Sequence, residues 1–183
     1  MKIAFVLGSS RQNGNSEWLG HQVLEGLDYT MIRLTDYNIH PITDQRHDQA
    51  GFQPVEDDYE NVLNLFLQHD VIVFASPSYW FGMSAQLKAF FDRWSQYLRD
   101  PRYDLKAELS QKEAYVLITG GSNPKITALP LVQQFHYIFD FVGMKMSGSL
   151  IGHAVKPGEI QDDTEAIAVA KQWNHQLKQK GNA

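Results

Sequence analysis

The sequence predicts an α/β fold: one doubly wound parallel sheet of five strands with helices on both faces. Two observations lead there. Apolar runs of strand length end in turn residues, and each is followed by a segment with apolar side chains at helical spacing. This strand–helix order recurs five times, and alternating βα units give a parallel sheet covered on both sides.

Ile3 to Leu7 is continuously apolar and stops at Gly8, the pattern of a strand buried on both faces. The run "SSRQNGNS" reads as a loop. Trp18, Leu19, Val23, Leu24 and Leu27 then mark a helix, with Asn15 or Ser16 as its expected cap. Thr30 to Leu34 is a short second strand, and Tyr37 to Val55 reads as irregular. Asp57 and Asp58 suit a helix start, and Val62, Leu63, Leu65 and Phe66 carry that helix to about His69. Val71 to Ala75 is the third strand. Ser84 is placed to cap the next helix, whose stripe is Leu87, Phe90, Phe91, Trp94 and Leu98. Ala114 to Ile118 is the fourth strand, and Leu131, Val132, Phe135, Ile138, Phe139 and Val142 mark the helix after it. Met144 to Ile151 is a weaker fifth strand. Thr164 is the expected cap of a last helix running through Ile167, Ala170, Trp173 and Leu177.

The 183 residues suffice for one domain with a full core, taken here as 1–183. Hydrophobic residues make up 43% and charged residues 20%, an ordinary globular balance. Sixteen Lys and Arg against 21 Asp and Glu give a formal charge of −5, and nothing in that balance suggests an electrostatic nucleic-acid binder. With no cysteine, disulfides, thiolate zinc sites and cysteine-held iron–sulfur clusters are excluded. "MKIAFVLG" is too short for a signal peptide's apolar region, and no run approaches membrane-spanning length. A soluble cytoplasmic protein, without membrane or nucleic-acid partners, is the expectation.

In such sheets ligands bind beyond the carboxyl ends of the strands, where the strand order switches. Three loops fall there. "GSSRQNGNS" carries Ser9, Ser10, Asn15 and Ser16 as donors, Arg11 as a charge, and Gly8 and Gly14 for close backbone approach. A helix N-terminus follows, so the loop suits a phosphate as well as it suits a plain polar turn. The G-x-x-x-x-G-K-S/T phosphate loop is absent, and so is G-x-G-x-x-G, although Asp36 would suit a ribose. "SPSYWFGM" crowds Tyr79, Trp80 and Phe81 between Pro77 and Gly82. Rings there offer stacking area to a planar ligand, where core packing or a subunit interface is the plainer use. "TGGSNP" adds hydroxyls and, through Gly120 and Gly121, flexible backbone.

Two of these stretches carry a resemblance. "GSSRQNGNS" is similar to the G-S-x-R-x-x-x-x-S/T phosphate loop of the NAD(P)H-dependent FMN reductases of the flavodoxin-like superfamily. "ASPSYWFGMSAQLKAFFDRW" resembles that family's P-x-Y-x-x-x-M-x-x-x-L-K-x-F-x-D-R segment. The likeness covers roughly residues 1–155 and implies a flavodoxin-like sheet of order 2-1-3-4-5. It implies FMN as cofactor, NADPH or NADH as cosubstrate, and a small electron acceptor such as a flavin, quinone, azo or nitro compound. Carried over by position, Ser9, Ser10, Arg11, Gly14, Asn15 and Ser16 would hold the phosphate. Pro77, Ser78, Tyr79, Trp80, Phe81 and Gly82 would border the ring, and Thr119, Gly120 and Gly121 would meet its other side or the ribityl chain. No catalytic side chain is implied, because the flavin carries the chemistry.

Homodimers or homotetramers are usual in that family, with Trp94, Tyr97 and Tyr103 available for an interface or for the core. The iron–sulfur branch carries a cysteine cluster after strand two. Here the segment reads "IHPITDQRHDQAGF", so no cluster is expected. His40, Asp44, His47 and Asp48 have metal-ligand chemistry but read better as a solvated loop. The alternatives are a flavodoxin-type electron carrier without NAD(P)H reductase activity, a receiver domain, and an interaction protein that keeps only the fold. Ser9, Ser10 and Ser76 stand where a receiver needs acids, and Arg11 favours the reductase over the carrier.

Overall fold

The computed structural model describes residues 1–181. Its five strands are β1 (Ile3–Leu7), β2 (Thr30–Arg33), β3 (Val71–Pro77), β4 (Glu113–Gly120) and β5 (Lys145–His153). All neighbouring pairs are parallel, in the order β2-β1-β3-β4-β5. β1 is wholly buried, and so is β3 up to Ser76, because helices cover both faces of the sheet.

On one face lie α1 (Asn15–Leu24) and α8 (Thr164–Gly181), packed over Phe5, Leu7, Val73, Tyr115 and Leu117. Gly20 makes this close packing feasible: a Cβ there would stand 2.1 Å from Cζ of the buried Phe5 ring. Asn174 of α8 donates to the carbonyls of Val23 and Glu25, both at 2.9 Å, and so satisfies the end of α1. The opposite face carries α2 (Tyr59–Leu67), α3 (Ala85–Asp92), α4 (Trp94–Tyr97), α5 (Leu105–Ser110), α6 (Pro124–Thr127) and α7 (Leu129–Val142). Phe66, Phe74, Phe90, Phe91, Phe135 and Phe139 form its core.

Ser84 caps α3 as expected, accepting from the amide of Leu87. Other local expectations are corrected. Gly14, not Asn15 or Ser16, occupies the N-cap of α1 and lends it no side chain. Asp163, not Thr164, caps α8: its carboxylate accepts from Ala166 N–H at 2.9 Å. The stripe from Leu87 to Leu98 breaks at Arg93 into two helices. α5 and α6 are too short to show a periodicity.

The strands also run further than their apolar runs. Pro77, Thr119 and Gly120 belong to strands, with Pro77 level with Thr119 and Gly120 level with His153. Pro77 is tolerated in a central strand because β1 has already ended, Leu7 being level with Ala75.

The irregular segment after β2 is fastened by a buried ion pair. Asp57 meets Arg93 at 2.5 Å, with 2% and 1% of the side chains exposed. The Arg93 guanidinium also donates to His40 C=O at 3.2 Å and lies over the Tyr59 ring at 4.5 Å. His40, Asp44, His47 and Asp48 do not converge: no group of three or more potential ligands exists among the described residues. No helix in those residues is long and apolar enough to cross a membrane.

Candidate flavin-binding cleft

The loops after β1, β3 and β4 meet at the carboxyl edge around a cleft of about 220 Å³. Ser9, Arg11, Gly14, Asn15, Ser16, Pro77, Ser78, Tyr79, Thr119, Gly120 and Gly121 line it. Ser10, Trp80, Phe81 and Gly82 do not.

The β1 loop presents the start of α1. The amides of Asn15, Ser16 and Glu17 precede the first intrahelical bond, from Trp18 N–H to Gly14 C=O at 2.9 Å. Ser9 Oγ accepts the N–H of Arg11 at 3.2 Å and is buried, so the turn is internally fixed. Arg11 is exposed and meets no carboxylate among the described residues. Positive dipole end, free N–H groups and one uncommitted cation have the chemistry that suits an anion. Ser16 Oγ and Thr119 Oγ1 share a buried hydrogen bond of 2.6 Å, which locks the first loop to the third.

The Asn15 side chain has partners of its own. Its carboxamide donates to Lys156 C=O and accepts from Gly158 N–H, both at 2.9 Å. It braces a fourth loop, after β5, whose Ala154 and Val155 complete the cleft wall. That loop was missed in the sequence, where "VKPG" directly after the fifth strand was the available signal.

The aromatic turn is strained. Tyr79 and Gly82 exchange backbone hydrogen bonds of 3.0 Å each way, closing a two-residue hairpin. Both central residues are left-handed, Trp80 at φ 49° and Phe81 at φ 65°. Such turns normally take Asn-Gly. Gly82 is not among the left-handed residues, so the flexible position expected of it falls on two aromatics instead. Their rings are solvent-facing: Trp80 is 95% exposed and Phe81 55%. Among the described residues the non-glycine left-handed positions are Asn13, Trp80, Phe81, Ser122 and Asn123, all in these three loops. Strain of this kind concentrates at functional sites. Phe81→Gly should therefore raise stability by about 0.5–1 kcal/mol in urea melts. A loss of that size would show the turn to be relaxed.

A larger groove of about 610 Å³ lies on the helical face between α3–α4 and α7, lined by Phe91, Trp94, Leu98, Tyr137 and Phe141. Its lining includes none of the sheet-edge loops, so the smaller cleft is the candidate site. Trp94 and Tyr97, each 3% exposed, belong to the core.

A parallel sheet of this order with helices on both faces defines a doubly wound α/β protein, a class that binds its ligands at the carboxyl edge of the sheet. The chain belongs to the flavodoxin-like fold family, whose model matches residues 1–177. It is 49% identical over 171 residues to YwqN of Bacillus subtilis (strain 168), spanning 93% of this chain and 94% of that one. That relative is named, provisionally, as an NAD(P)H-dependent FMN-containing oxidoreductase. The solved structure of the Trp repressor binding protein from Bacillus subtilis superposes with a TM-score of 0.80 at 44% identity, over 94% of this chain and 99% of that one. The NAD(P)H:quinone oxidoreductase of Methanothermobacter marburgensis shares the fold at a TM-score of 0.71 and 18% identity, over 97% and 96% of the two chains.

Proposed function

We propose that the chain is an FMN-dependent oxidoreductase that takes hydride from NADPH or NADH and passes electrons to a small acceptor, a flavin, quinone, azo or nitro compound. One observation carries this reading: an anion site at a helix N-terminus and a strained aromatic turn share one sheet edge. The name of the 49% identical relative supports it.

The residues present fit FMN. A cleft of about 220 Å³ is below the usual volume for a whole cofactor. It suits the phosphate and ribityl chain, and the exposed rim from Tyr79 to Gly82 is left for the ring. Backbone N–H groups at 15–17, Ser9 and Arg11 would hold the phosphate. Thr119, Gly120 and Gly121 would border the chain, and Pro77 to Gly82 the ring. Bound FMN supplies the hydride and electron transfer. The cleft contains no carboxylate and no histidine, so its residues bind and orient without an acid or base of their own.

Apo protein should take up one FMN per chain in a fluorescence titration. Failure to bind any flavin would end the proposal. A flavodoxin-type carrier would pass this test but would not accept hydride from NAD(P)H.

Self-association is part of the proposal. With Trp94 and Tyr97 internal, the apolar side of α7 at Tyr137 and Phe141, 62% and 65% exposed, offers a surface to a second copy. Light scattering should give a mass above one chain at micromolar concentration. A strict monomer would remove this part.

A further inference from the structure

A buried carboxylate lies beside the loop that would hold the phosphate, an awkward place for a negative charge. Glu17 is the third residue of α1, with 6% of its side chain exposed. A glutamate there commonly reaches back to the N-cap amide. Here Glu17 Oε2 instead accepts the N–H of Asn13, one residue earlier, at 2.8 Å. Asn13 is left-handed, φ 52°, and turns the chain between Arg11 and Gly14, both of which line the cleft.

Arg33 resolves the charge conflict. It is the last residue of β2, level with Leu7 at the end of β1. Its guanidinium grips Glu17 in a fork, Nη2 to Oε1 and Nη1 to Oε2 at 3.1 Å. Only 16% of the Arg33 side chain is exposed, so solvent screens the pair poorly. His21 Nε2 at 3.8 Å from Glu17, Asp36 Oδ2 at 4.0 Å from Arg33, and the Tyr29 phenol, which feels the Glu17 charge, are the other charged or titratable groups around the pair. The Arg33 hydrogen bonds hold the Glu17 carboxyl below its usual range, so it is ionised and needs its counter-ion.

We propose that Glu17 and Arg33 are a neutral positioning pair for the phosphate loop: Glu17 fixes Asn13, and Arg33 cancels the charge that would otherwise repel the ligand. The inference rests on the flavin reading above for the identity of the ligand. Neither residue lines the cleft.

The test compares FMN with riboflavin, which has the same ring and no phosphate, by fluorescence titration. Arg33→Met should weaken FMN about tenfold or more and leave riboflavin within about twofold. Adding Glu17→Gln to Arg33→Met should restore most of the FMN affinity, since the unpaired charge is gone. Glu17→Gln alone keeps an oxygen for Asn13 N–H and should stay within about threefold of wild type, whereas Glu17→Ala should lose about tenfold. Should Arg33→Met fail to fold, Glu17→Ala against Glu17→Gln reads the same contrast. Equal losses for both flavins, or no recovery in the double variant, would reduce the pair to a fold-stabilising contact.

A second arm uses inorganic phosphate at matched ionic strength. It should raise the Tm of wild type more than that of Arg33→Met. A wild type that binds no flavin but keeps this difference would refute the flavin reading and retain the pair. Flavin binding with an unchanged FMN-to-riboflavin preference in every variant would do the opposite.

Discussion

Asp57→Ala should cost about 3–5 kcal/mol of folding stability, the usual loss when one partner of a buried ion pair is removed. The substitution strands the Arg93 guanidinium, which is 1% exposed. It also takes the acceptor from two backbone amides, His40 N–H at 3.0 Å and Tyr59 N–H at 3.1 Å. The segment after β2 would then lose its fastening to the α3–α4 junction. Replacing both partners by apolar residues should cost less than the sum of the single losses, because no buried charge is left over.

The pH dependence has a definite sign. Burial alone would raise the Asp57 pKa, but the hydrogen bonds from Arg93, His40 and Tyr59 outweigh it and hold the carboxyl below its ordinary range. A lowered folded-state pKa gives stability that is present above the unfolded carboxylate range and is lost as the pH falls through the folded value. Wild type should therefore lose its advantage over Asp57→Ala below about pH 4. Urea melts at pH 7 and pH 3 measure this, and a gap that does not shrink on acidification would contradict it.

Trp94→Ala and Trp80→Ala should separate stability from function. Trp94 is 3% exposed and packs against Phe66, Phe90 and Phe91, the last with ring centroids 4.8 Å apart. Its loss should cost about 3–5 kcal/mol, as large-to-small core changes do. Its indole N–H has no hydrogen-bond partner among the described residues, so that cost is one of packing. Trp80 is 95% exposed, and its truncation should move stability by no more than about 0.5 kcal/mol. It should instead weaken FMN binding about two- to tenfold through lost ring contact. If Trp80→Ala binds FMN as wild type does while Trp94→Ala loses it without losing stability, the aromatic turn is no wall of the site.

These two tryptophans also show what a sequence discloses and what it withholds. Trp94 falls in the apolar stripe with Leu87, Phe90 and Phe91, which leaves interface and core both open, and its 3% exposure decides for the core. Strands such as Ile3–Leu7 are legible directly, since burial on both faces leaves an unbroken apolar run. The three edge loops follow from strand order and composition. Trp80 is different: a left-handed aromatic has no local signature, and its φ is imposed by the backbone bonds between Tyr79 and Gly82. The contacts of Asn15 with Lys156 and Gly158, and of Glu17 with Arg33, join residues distant in sequence. The cap of α1 misreads for a related reason: Asn15 and Ser16 have good capping chemistry, but tertiary partners claim both side chains and Gly14 takes the position.

The central claim is that this chain accepts hydride from a nicotinamide onto bound FMN, and the anaerobic absorbance spectrum of the FMN-loaded protein tests it most directly. The yellow absorbance should bleach on adding NADPH or NADH and return when a quinone is supplied. Bound FMN that stays yellow with both nucleotides would contradict the account and leave an electron carrier in its place.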